Sequence, residues 1–421
     1  MIFNIQNKRQ VVAWAFYDWA NSAFATVVIA GFFPIFFNQF WSTGAEATQT
    51  TFRLGVANSI ASLIVLVMAP VLGAVADQGA MKKRFLLIFA MVGILATAWL
   101  GGIGEGLWLY AAIVYVIATI GFSGANVLYD ALLVDVAPKD KLDTVSGLGY
   151  SLGYLGGGLL FSLCVFMSLK PTWFGLADAS QAVRVSFFLT ALWWAAFSLP
   201  LWWQVHERKA ESRDFSSTFF RGIDQLVQTF RNIRKYRPVL VFLVAYWLYI
   251  DGVDTIIKMA VDYGMALGFT PQDLVTALLL VQFVGFPSAL VFGLLGEKIG
   301  PKTGIIAGLA VYVGITVWAY FISEPWEFYG VAVVIGLVQG GVQALSRSLY
   351  ARIIPQDSAA EFFGFYNFLG KFAAVIGPVM MGWVAIATGS TRVSILSILI
   401  LFIAGGLILL KVDASSNNRE L

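Results

Sequence analysis

The feature that most constrains this chain is a succession of apolar runs separated by short polar breaks. Each run is roughly the 20 residues that an α-helix needs to cross the hydrocarbon of a bilayer. Inside hydrocarbon every backbone polar group must find its partner internally, so only helices or a closed barrel can span. The runs are continuous rather than alternating, which selects helices. Composition agrees: a chain of 421 residues with 59% hydrophobic and only 12% charged residues cannot cover itself with a soluble surface. The expected fold class is therefore an all-α polytopic membrane protein with the lipid bilayer as its solvent.

Twelve spans are expected, near 11–38, 52–76, 84–102, 107–135, 143–168, 184–204, 238–266, 272–296, 302–321, 327–352, 359–387 and 392–411. Lys8 and Arg9 precede the first run as in a signal peptide, but the run to Phe37 is too long for one and carries Asp18, so it reads as a retained helix. The termini and the even-numbered gaps hold Lys8, Arg9, Lys82, Lys83, Arg84, Lys139, Lys141, Lys298, Lys302 and Arg352, against Arg53, Lys170, Arg184 and Arg392 on the other side. Positive charge stays inside, so both termini are expected in the cytoplasm.

The one long hydrophilic segment, 205–237, divides the chain into an N-terminal half, 1–204, and a C-terminal half, 238–421. Within it Phe219, Phe220, Ile223, Leu226, Val227 and Phe230 recur at helical spacing, which predicts an amphipathic helix lying at the membrane interface. The halves also repeat each other in sequence. Trp14, Asp18, Asn21 and Ser22 return at one offset as Trp247, Asp251, Asp254 and Thr255. Asn126, Asp130, Pro138, Asp140, Gly147 and Gly153 return at another single offset as Gln343, Arg347, Pro355, Asp357, Gly364 and Gly370.

The loop after the second span, "GAVADQGAMKKR", is answered after the eighth by "GLLGEKIGPK". The residues that carry the pattern are Gly73, Asp77, Gly79 and Lys82, then Gly293, Glu297, Gly300 and Lys302. An acid there can bond free amides at a neighbouring helix start or hold a cation, and the glycines allow close approach, so the loops are candidate conformational switches. This loop signature resembles that of the major facilitator superfamily. "FYDWANSAFATVV" (Phe16 to Val28), "YDALLVDVAPKDKLDTVSGLGYSLGYLGGG" (Tyr129 to Gly158) and "GGVQALSRSLYARIIPQDSAAEFFGFYNFLGK" (Gly340 to Lys371) narrow the resemblance to its vacuole-effluxer branch. Asp130 departs from it, standing where that branch is expected to have asparagine. The resemblance implies the major facilitator fold of twelve helices in two six-helix halves. It further implies amino-acid efflux toward the cytosol and, for a bacterial-type member, the inner membrane as location.

Ionisable groups within spans are functional candidates whatever the family, because burying one costs several kcal/mol unless it meets a cavity or a partner. Asp18, Asn21 and Ser22 form a polar face on the first span. No cation shares that face, which makes Asp18 the leading proton-coupling candidate, followed by Asp251 and Asp254 with Lys258 one turn on as their partner. Candidates for the substrate cavity are Trp19, Asn21, Asn126, Asp130, Trp247, Gln343, Arg347, Asn367 and Lys371, with Arg347 and Lys371 suited to a carboxylate. A competing reading makes such groups interhelical ties, for instance a buried pair of Asp130 with Arg347.

The expected activity is secondary transport of a small solute, an amino acid or related zwitterion, coupled to protons. Lipid-like or other organic solutes, a membrane enzyme and a non-transporting receptor remain as alternatives. No cofactor and no metal are expected: the single histidine, His206, lies in a charged loop and the single cysteine, Cys164, in an apolar run. Partners expected are the solute, protons and the bilayer, with no nucleic acid, and the chain is expected as a monomer.

Overall fold

The computed structural model describes residues 8–207, 215–231, 236–373 and 376–412; the side chains of residues 47, 48, 51, 215–219, 230, 261, 262, 271 and 371–373 fall outside it. Among the described residues there are helices and turns but no strand. In chain order the helices are α1 (Lys8–Trp41), α2 (Ala47–Gly79), α3 (Lys82–Leu100), α4 (Trp108–Val136), α5 (Leu142–Leu169) and α6 (Ala179–Gln204). The linker contributes α7 (Phe215–Arg231). Then follow α8 (Arg237–Ala266), α9 (Pro271–Ile299), α10 (Pro301–Phe321), α11 (Pro325–Ile353), α12 (Ala359–Ala373), α13 (Ile376–Thr388) and α14 (Thr391–Leu409).

Eleven of these are long and apolar enough to cross a membrane. The twelfth expected span is represented by α12 and α13, on either side of residues 374 and 375. Pro378 falls within α13. Pro34 does disturb α1. Ahead of it, Phe24–Phe32 widens into a π-helical stretch, with Phe33 N–H donating to the Val28 carbonyl five residues back. Local chemistry sets several ends: Thr270 and Asp273 cap α9 reciprocally, and Gly300, at φ 84°, turns the chain into Pro301 of α10.

The repeat seen in sequence becomes a near two-fold arrangement of contacts. α2 of the first half packs on α12, and α9 of the second half packs on α5. A methyl at Gly364 would meet the Ala69 carbonyl at 2.6 Å, and one at Gly147 the Ala289 carbonyl at 2.7 Å. Gly73 likewise abuts Ala360, as Gly293 abuts Asp143. Each glycine lets two helix backbones touch, and each contact has its repeat counterpart. These two seams run from the membrane face that carries α7, hereafter the linker face, and join the halves.

α7 is helical over the segment expected to form an amphipathic helix. It docks on α2 through the side bearing Gly222, Gln225 and Thr229, while Phe220 and Val227 stay exposed. Trp41, at the end of α1 where a tryptophan could anchor at the interface, is instead fully buried, its indole N–H donating to the Ile103 carbonyl at 3.4 Å. Trp173, Trp203 and Trp326 are exposed, as anchors are.

Candidate functional site

Arg347 is 2% exposed and lies two turns from the end of α11, about 9 Å from the linker face. Its guanidinium donates to Asp130 of α4 at 3.0 Å and, through Nε and Nη2, to the hydroxyl and carbonyl of Ser146 on α5 at 2.9 and 3.0 Å. Asp18 of α1 stands 3.9 Å away on the same side. The cation is also boxed by rings, with centroids of Tyr150, Trp14 and Tyr129 at 4.4, 4.9 and 5.3 Å.

Each carboxylate has further donors. Asp130 accepts from the Asn367 amide of α12 at 3.1 Å. Asp18 accepts from Ser22 at 2.8 Å and from the Tyr129 hydroxyl at 3.3 Å. Room for Asp18 comes from α5, where a methyl at Gly153 would fall 2.7 Å from its Oδ1. The recurrence of Gly149, Gly153 and Gly157 along α5 thus lets α1 press its polar face against that helix. Trp14 is held by stacking on Tyr129 at 4.4 Å between centroids and by donating to the Tyr129 carbonyl at 2.9 Å.

The expected site residues fall into groups. Asp18, Asp130, Arg347 and Asn367 meet in one cluster. Asn21 and Asn126 bond each other side chain to side chain, and Gln343 accepts from the Tyr154 hydroxyl at 3.4 Å. Asp251 lies apart, near the middle of α8, where both its oxygens accept from the Gly377 amide at 3.1 Å. Asp254 is half-buried and Lys258 exposed on the same helix. Trp247 is half-buried, and the side chain of Lys371 lies outside the described residues.

Trp19 lies away from the Arg347 cluster: its ring stacks on Trp193 of α6 at 5.5 Å, because one residue beyond Asp18 turns a helical side chain about 100° away. Asp18, with no cation on its own helix face, meets Arg347 from the other half. Sequence reasoning also passed over Trp14, Tyr129, Tyr150 and Ser146. Trp14 was discoverable, standing one turn before Asp18 on the same face.

The candidate switch loops divide similarly. Asp77 accepts the Glu361 backbone N–H at 2.8 Å in the first turn of α12 and holds Lys82 at 3.4 Å, while Lys82 also reaches Asp135 at 3.1 Å. An acid thus caps a helix start in the opposite half, where the helix dipole favours it. Glu297 pairs with Lys141 at 2.8 Å and accepts from the Thr144 hydroxyl. Lys302 does not pair with it but donates to the Leu410 and Val412 carbonyls at 2.7 and 2.8 Å, capping α14. The turn residue matching Gly300 is Ala80, at φ 46°, whereas Gly79 closes α2 as an ordinary helical residue. Nearby, Glu207 caps α3 by accepting from the Lys82 and Lys83 amides at 2.9 and 2.6 Å; burial pushes its carboxyl upward and those amides oppose the shift.

A sequence profile described as vacuole effluxer Atg22-like matches residues 43–143 and 135–421. The MFS-type transporter YxiO of Bacillus subtilis (strain 168) is 39% identical, over 98% of this chain and 98% of its own. Autophagy-related protein 22 of Yarrowia lipolytica is 23% identical over 86% of this chain and 75% of its own. Among solved structures, the human organic anion transporter MFSD10 superposes with a TM-score of 0.74 at 13% identity, covering 96% of this chain and 100% of that one. The proton:xylose symporter XylE gives 0.73 at 14%, over 96% and 95%. At such identities the two structures carry the fold alone.

Proposed function

The chain belongs to the Atg22-like vacuole effluxer family, within the major facilitator transporters, and on that premise we propose that it moves an amino acid or related zwitterion across the membrane with protons. The halves, 1–204 and 238–421, rock about the seams as a monomer, with the linker face and both termini in the cytoplasm.

The observation that carries proton coupling is the charge count around Arg347. One buried cation stands between two carboxylates, Asp130 at 3.0 Å and Asp18 at 3.9 Å. With both acids ionised, the cluster holds one uncompensated negative charge away from water, which is costly. A proton on one of them leaves it neutral. Asp18 is the carrier, since Asp130 has the direct bond to the cation and Asn367 besides. When the halves move, Arg347 shifts its distance to Asp18 and thereby takes or releases the proton. Asp251, Asp254 and Lys258 lie deeper along α8 and serve the solute: the acids attract its ammonium, with Trp247, Asn21, Asn126 and Gln343 lining the way.

A second reading is favoured by one feature. An apolar cavity lies within the second half, lined by Ile256, Met259, Leu278, Val281, Ile335 and Met381 among others. Such a wall suits an organic solute with a large apolar part. A thermal-shift screen of the purified protein against amino acids, peptides, sugars and lipid precursors separates the two readings, and counterflow in liposomes follows for any hit. For the solute so found, Asp18→Asn should abolish proton-driven uptake and leave counterflow intact. Loss of both, or of neither, removes Asp18 from the coupling role.

A further inference from the structure

The two seams that join the halves are not closed by the same chemistry. At the α5–α9 seam, ion pairs cross from one half to the other: Lys141 with Glu297 at 2.8 Å, and Arg352 with Asp143 at 2.8 Å. Carried through the repeat, Lys141 corresponds to Ser358 and Asp143 to Ala360. The α2–α12 seam therefore cannot make either pair. What stands there instead is the linker helix.

α7 lies against α2 so closely that a methyl at Gly222 would meet the Val75 backbone at 2.9 Å. From this position Gln225 reaches both halves at once. Its amide oxygen accepts from Gln78 of α2, and its amide nitrogen donates to the Ser358 hydroxyl at 3.0 Å and to Glu361 of α12 at 2.5 Å. Thr229, one turn on, also bonds Glu361, whose side chain is fully buried. The place of contact is where Asp77 accepts the Glu361 amide. Separation of α2 from α12 would break the bridge on one side and strand the Glu361 carboxylate.

We propose that α7 is a clamp on the linker face, and that Gln225 is its positioning residue for the conformational step of transport. Its bonds to the two halves exist together only while that face is closed, so they stabilise the closed state and not the open one. The Ser358 position, where the other seam carries a lysine, is supplied by a side chain from outside both bundles. This inference rests on the reading above in which the halves rock about the seams during transport.

The experiment uses the full chain in lipid nanodiscs, with Cys164→Ser, Arg84→Cys and Asp357→Cys carrying spin labels at two exposed positions of opposite halves. Pulsed electron-electron resonance then gives the distance distribution across the linker face. The unaltered linker should give mainly the short, closed distance. Gln225→Ala should lower the closed-to-open ratio about tenfold, the size expected for one or two net hydrogen bonds. Gln225→Glu, which sets a second carboxylate against Glu361, should lower it further. Phe220→Ser, on the exposed side of α7, should leave the distribution as it was. Unchanged distributions in both Gln225 variants overturn the clamp. The transport reading fails separately, by the absence of counterflow with every solute while the label distances still respond.

Discussion

Asp130 and Arg347 occupy equivalent positions in the two halves of the repeat, and they bond each other at 3.0 Å. Positions related by the repeat meet because α4 and α11 each approach the axis that relates the halves. The acid of one half is thus neutralised by the cation of the other, with Ser146 and Asn367 completing the bonds of both.

Breaking this pair should be expensive. Arg347→Gln leaves Asp130 buried without its cation and should cost about 3–5 kcal/mol of stability. Adding Asp130→Asn should return most of that loss, since two neutral amides can bond where two charges did. Thermal unfolding in one detergent, run on the single and double variants, measures the recovery; strict additivity of the two losses would contradict the pairing.

Gly153→Ala tests whether the space beside Asp18 matters. The new methyl falls 2.7 Å from Asp18 Oδ1 and 2.6 Å from Ser22 Oγ, so both must move. Proton-driven uptake should fall about tenfold or more, the effect of displacing one functional group by a fraction of an ångström. Gly382→Ala, which meets nothing within 4 Å, is the comparison and should transport normally.

The two tryptophans flanking Asp18 should differ in effect. Trp14→Phe removes the indole N–H that bonds the Tyr129 carbonyl and shrinks the ring facing Arg347, and should slow maximal transport. Trp19→Phe alters a stack against Trp193 and should leave both KM and maximal rate within about twofold. Equal loss from both would mean that the polar face of α1 is oriented differently during transport.

Closure of the α2–α12 seam can be followed at one amide. Gly73→Ala drives a methyl into the Ala360 carbonyl, and overpacking of this kind costs about 1–3 kcal/mol. The Glu361 amide, bonded to Asp77, should then exchange hydrogen for deuterium faster by at least tenfold. Unaltered protection there would show that the seam yields without opening.

The helices and the charged cluster were legible for different reasons. Long apolar runs announce spans whatever their neighbours, and Asp130 and Arg347 stand out because ionisable groups are rare in such runs. Partners drawn from another helix were not legible. Asp18 showed no cation on its own face, and only folding brings Arg347 within reach. Tyr129 and Tyr150 were hidden because a ring against a guanidinium and a ring in a core look alike in sequence. α7 announced its apolar face, yet its docking runs through Gly222 and Gln225, whose value depends on what lies opposite. Trp41 went inward because neighbouring rings, such as Phe187 at 5.8 Å, offered more contact than the interface did.

Two identical halves could not have shared the pairing at the axis. An ancestral pair of equal subunits would have set acid against acid, or guanidinium against guanidinium, wherever positions 130 and 347 now meet. Like charges so close in a dry interior repel, so such an assembly would need a proton, a bound ion or a neutral residue there. The opposite signs seen now require that the two copies differ in sequence at this position, and carrying both in one chain keeps each acid with its cation.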